Sequence, residues 1–193
     1  MPPEHLVAVI LGVAAVVEGA AFALLCLRTR AKGYPLLWLG LGQRSTLPAI
    51  ILGVLLALCY CFWAVHGVVG GLFDVLFRLG YLKLIALVAA LAAALFEETL
   101  FRGFLMNILR VRGRGPLIQV MVSGVAFGLA HGVWGMFAPA HILGYVAATT
   151  VLGLALACVF LLGKRSLTPV ILSHFLIDAI LEPWLLLHVV RGL

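Results

Sequence analysis

Long apolar runs, broken by short polar or glycine-rich stretches, dominate the chain. A membrane-crossing helix needs ~20 mostly apolar residues, and on that criterion the pattern predicts helices over Leu6–Leu27, Leu47–Val69, Tyr81–Leu109, Pro116–Trp134, Pro139–Leu162 and Pro169–Val190. Leu36–Leu41 and Gly71–Leu79 are apolar but too short to span, and the second carries Asp74 and Arg78. Both suit interfacial or re-entrant segments. No internal repeat or low-complexity tract is apparent, so the inverted-repeat signature of many transporters is missing. The expected fold is all-α, a polytopic membrane bundle of about six transmembrane helices, with residues 1–193 forming one membrane-embedded domain.

Composition strengthens this expectation. Of 193 residues, 65% are hydrophobic and 10% charged, and the mean hydropathy of +1.23 excludes a water-soluble domain. Leu6–Leu27 is longer than the apolar core of a secretory signal and lacks a basic cluster before it, which favours a retained helix. Basic residues alternate between loops: Arg28, Arg30, Lys32 and Arg44 follow the first helix, Arg110, Arg112 and Arg114 the third, and Lys164 and Arg165 the fifth. Only Arg78, Lys83 and Arg191 fall on the other side. The positive-inside rule then makes the basic loops cytoplasmic and both termini non-cytoplasmic. The net charge of +6 forms no contiguous patch, so membrane lipid is the expected partner and nucleic acid is not. Cys26, Cys59, Cys61 and Cys158 lie in apolar runs without metal-binding spacing and read as buried thiols. Trp38, Trp63, Trp134 and Trp184 mostly lie near helix ends, as an aromatic belt would, and His5, His141 and His188 fit membrane boundaries or loop flanks.

Ionisable residues within apolar helices are costly unless paired or facing a wet cavity, which makes each a functional candidate. In the third helix, Phe96-Glu97-Glu98-Thr99-Leu100-Phe101-Arg102 places two carboxylates and a guanidinium within two turns. Glu98 and Arg102 can pair along one face. Glu97 lies about 140° of helical rotation from Arg102, so it is the freer base. The fourth helix ends Ser123-Gly124-Val125-Ala126-Phe127-Gly128-Leu129-Ala130-His131, with Ser123, Phe127 and His131 on one stripe beside small residues that permit close packing. The sixth carries His174 and Asp178 one turn apart. Taken singly, each has a structural explanation: a helix end emerging into headgroups, or an interfacial histidine.

In this order, Glu-Glu-x-x-x-Arg, Phe-x-x-x-His and His-x-x-x-Asp resemble the motifs of the CPBP family of intramembrane proteases, also called the Abi or CAAX-protease family. The resemblance covers roughly residues 95–180 and includes the Phe101-Arg102-Gly103-Phe104 continuation. It implies an intramembrane endopeptidase acting on a membrane-associated or lipidated peptide or protein. The family includes type II endopeptidases that trim prenylated CAAX proteins, bacteriocin-immunity proteins and myxosortases. It also implies that Glu97 and His131 activate water while His174 and Asp178 support the oxyanion; the pair Glu98 and Arg102 is expected to hold the helix turn in support. The chain departs from the commoner pattern at Asp178, where asparagine is frequent. An ionised aspartate would repel an oxyanion, so Asp178 is either protonated or orients and charges His174, and the second is expected.

Three alternatives follow from the same residues. Glu97, His131 and His174 could hold zinc, although no His-Glu-x-x-His helix is present and Arg102 disfavours a dication; the expectation is no cofactor. A small proton- or ion-coupled transporter would recruit Glu18 and His66, and a non-catalytic protein could bind a membrane peptide. Depth along the helices sets a condition on any shared site. At ~1.5 Å per residue, His131 lies about 22 Å from the start of its helix and His174 only about 8 Å from the start of its own.

Overall fold

A computed structural model describes residues 2–65, 80–133 and 142–192. Expectations for His66, for the segment containing Asp74 and Arg78, and for Trp134 and His141 lie outside the described residues, as do the side chains of Trp184, His188 and Arg191. Six helices make up most of what is described: α1 (Pro3–Ala31), α2 (Leu47–Val65), α3 (Tyr81–Val111), α4 (Pro116–His131), α5 (Ile142–Leu162) and α6 (Thr168–Gly192). No strand occurs among the described residues. Five helices are long and apolar enough to cross a membrane, while α4 is apolar but has 16 residues. The protein is a multi-pass helical membrane protein.

Local chemistry sets several boundaries. Pro116 occupies the first turn of α4, where its missing N–H costs no helical bond. Thr46 caps α2, its Oγ1 accepting from the Ala49 N–H at 3.4 Å. Within α3 the turn widens to π geometry over Thr99–Leu105, immediately after the two glutamates. Side chains engage carbonyls of that segment: the Ser123 hydroxyl donates to the Phe101 carbonyl at 3.1 Å, and the Asn107 amide to that of Gly103 at 2.7 Å.

Lipid supplies no hydrophobic drive between helices, so cohesion comes from close packing and internal hydrogen bonds. Val9, Val13, Val16, Leu24 and Leu27 of α1 point outward, as lipid-facing residues should. The core contains Phe127, Leu156, Phe160, Val170 and Ile177. The α4–α5 contact is tight: a Cβ on Gly124 would lie 2.8 Å from the Leu154 backbone nitrogen, and one on Gly128 would overlap Thr150. Of the cysteines, only Cys61 is buried, while Cys26 is half-buried and Cys59 and Cys158 are exposed, which corrects the expectation of four buried thiols. An apolar sequence does not separate a core-facing thiol from a lipid-facing one.

The short 3-10 helix Leu36–Leu39 and the loop between α5 and α6 pack inward, against the last third of α3. A Cβ on Gly103 would lie 2.6 Å from the Leu39 carbonyl oxygen, so only glycine admits this backbone. The Leu167 N–H in turn donates to the Gly40 carbonyl at 3.2 Å. Gly103 is about 12 Å along the helix from Val111, and α6 therefore begins well inside the level at which α3 ends. Arg165, read from sequence as part of a basic loop, is half-buried here, with its guanidinium bonded to Asn107 of α3 and Gln119 of α4.

Candidate active site

The inward start of α6 removes the depth conflict. His174 lies roughly 9 Å along α6 from Thr168, which brings its ring level with Glu98, about 20 Å from the end of α3. His174 Nδ1 meets Glu98 Oε1 at 2.8 Å and Nε2 meets Asp178 Oδ2 at 3.1 Å. A carboxylate only accepts, so with both acids ionised the ring must donate from both nitrogens and carry a positive charge.

Glu98 and Arg102 are fully buried, with Arg102 Nη1 donating to Glu98 Oε1 at 2.9 Å. Its Nη2 donates to the Gly153 carbonyl at 2.9 Å, and the guanidinium lies 4.4 Å from the Phe127 ring centre. A linked array therefore runs from Arg102 through Glu98 and His174 to Asp178. The Glu98–Arg102 pairing matches its sequence spacing; the Glu98–His174 bond, between α3 and α6, has no local signature.

Glu97 points elsewhere. Its Oε2 lies 3.6 Å from His131 Nε2, both side chains keep 18% of their exposure, and this oxygen has no hydrogen-bond partner. His131 Nδ1–H donates to the Phe127 carbonyl at 2.9 Å, which leaves Nε2 toward Glu97. The stripe through Ser123, Phe127 and His131 accounts for this placement. Phe127 packs against His131 and His174, with ring centres 4.3 and 5.5 Å away, so one aromatic side chain separates the two histidines.

Glu97, His131, His174 and Asp178 border one cavity of about 750 Å³. Glu18 of α1 and Glu182 of α6 border it too. Glu182 was missed in the sequence, although His174, Asp178 and Glu182 recur every four residues and must share a helical face. Pro183 follows Glu182 and has no N–H for the Ala179 carbonyl; Lys83 Nζ donates to that oxygen instead, at 3.0 Å, tying α3 to α6. Both nitrogens of His174 face carboxylates. Among the described residues no group of three His, Cys, Asp or Glu side chains is arranged to hold a metal ion.

A half-buried glutamate–histidine pair thus borders a cavity within a membrane helical bundle. The family model described as type II CAAX prenyl endopeptidase Rce1-like matches residues 80–180, slightly more than half of the chain, and the protein belongs to that family of membrane proteases. Comparison with curated proteins and with solved structures returns no match.

Proposed function

We propose that the protein is a metal-independent endopeptidase that cuts a prenylated, membrane-associated peptide or protein with a water activated by Glu97. The observation that carries this is the unpartnered Glu97 Oε2 facing His131 Nε2 at 3.6 Å on the cavity wall. That separation is too long for a direct hydrogen bond, and a small opening of the pair admits one water that donates to both atoms.

Glu97 takes a proton from this water as its oxygen attacks the scissile carbonyl carbon. The resulting oxyanion is offset by the positive charge of the His174 imidazolium, whose two N–H groups are held by Glu98 and Asp178. Glu98 and Asp178 keep the ring charged and oriented. The proton held by Glu97 then passes to the leaving nitrogen, with His131 steadying it, and the C–N bond breaks. Glu98 is itself held by Arg102 and has no proton-transfer role.

The substrate reaches the site from the bilayer, its lipid group among the apolar walls. The basic loops after α1, α3 and α5 face the cytoplasm and both termini the other side, the arrangement favoured by the distribution of arginine and lysine. Purified protein incubated with a farnesylated CAAX peptide should release the terminal tripeptide, detected by mass spectrometry, and should retain that turnover after exhaustive chelation. Absence of the tripeptide would refute the activity, and loss on chelation with recovery on adding zinc would refute the metal-free mechanism.

A further inference from the structure

The chemistry above uses only part of the cavity. Beyond Asp178, α6 presents Glu182 to the same space, and α1 brings Glu18 to its wall. Glu182 lies on the His174 face, about 12 Å further along the helix. Its Oε2 is buried and has no hydrogen-bond partner. No lysine or arginine borders the cavity among the described residues. A buried carboxylate without a counter-charge is costly, and a cation delivered by a ligand offsets that cost.

From this juxtaposition we infer that Glu18 and Glu182 form an acidic subsite that receives a basic side chain of the peptide substrate. The inference rests on the endopeptidase activity proposed above. A lysine side chain reaches roughly 6 Å from its Cα, leaving about 6 Å of the distance to His174 for the backbone. At ~3.3 Å per extended residue, the basic residue lies within about two positions of the bond cut. Tyr60, Leu181 and Leu185, also on the cavity wall, cover the apolar stem while the ammonium meets the carboxylates.

The test uses farnesylated hexapeptides with a single lysine, or norleucine in its place, at the residue before the prenylated cysteine or at the first or second after it. Norleucine keeps the stem and removes the charge. Binding is measured by fluorescence anisotropy to Glu97→Gln protein, and cleavage is measured with otherwise wild-type protein. At one position lysine should bind about tenfold or more tighter than norleucine. Adding Glu182→Gln or Glu18→Gln should erase that preference while cleavage of the norleucine peptide by the single Glu182→Gln or Glu18→Gln proteins persists.

Equal binding of the two peptides at every position overturns the subsite without any need for the subsite variants. A preference that survives both substitutions overturns it as well. If the lysine preference is present and erased as expected but no peptide is cut by wild-type protein, the subsite stands and the endopeptidase activity is refuted. Cleavage without discrimination refutes the subsite alone.

Discussion

Two adjacent glutamates, Glu97 and Glu98, have opposite surroundings, and so should have opposite phenotypes. Glu98 balances the fully buried Arg102 and one nitrogen of His174. Glu98→Gln removes one charge of a buried pair and should destabilise the folded protein by about 3 kcal/mol, read as a lower melting temperature in detergent. An unchanged melting temperature would show that Gly153 and Phe127 suffice for Arg102. Asp178→Asn keeps an oxygen that accepts from His174 Nε2–H and leaves Glu98 in place, so turnover should fall by about tenfold with stability retained. Full turnover by Asp178→Asn would deny Asp178 its role in keeping His174 charged. The i,i+4 pairs Glu98–Arg102 and His174–Asp178 were legible in the sequence because helical spacing encodes them. Glu98–His174 was not, since it joins positions 76 apart and depends on where α6 starts.

Among the elements, the decisive feature is how far the start of α6 is drawn inward, and Gly103 is where this is most exposed to change. A larger residue there would press on the Leu39 carbonyl, which is backbone and cannot swing aside. Gly103→Val should therefore cost about 1–3 kcal/mol and displace His174 from Glu98, with turnover falling more than the melting temperature alone would explain. Near the opposite end of α6, Lys83→Met leaves the Ala179 carbonyl unsatisfied, at about 1–3 kcal/mol. Pro183→Ala restores an N–H at the position that can bond it, so in a double-mutant cycle it should absorb most of the Lys83→Met loss. Additive losses would deny the coupling. The six helices were legible from apolar run length, and the described ends fall close to those expected, as with Tyr81, Pro116 and Leu162. The π turn and the inward loop were not, because both arise from contacts with distant backbone and not from local propensity.

For the molecule as a whole, the sequence carried the membrane class and the ordered motifs, whereas the cavity that joins Glu18 and Glu182 to the site emerges only when α1 and α6 are in place. Sidedness belongs to this scale too. In a cysteine-free background, cysteines placed at Arg30, Arg112 or Lys164 should resist an impermeant maleimide applied from the non-cytoplasmic side, and tags fused at either terminus should be accessible from that side. Labelling in the reverse sense would invert the orientation and the face from which substrate is presented.

The central claim, that Glu97 activates the attacking water, is tested most directly by turnover of a farnesylated CAAX peptide by purified Glu97→Gln protein in liposomes beside wild type. Glutamine preserves the shape of the side chain and cannot take a proton, and Glu97 makes no ion pair with Arg102 that folding requires. Turnover should fall by about a thousandfold with the melting temperature unchanged, whereas a variant that folds normally and retains turnover within tenfold of wild type would contradict the account.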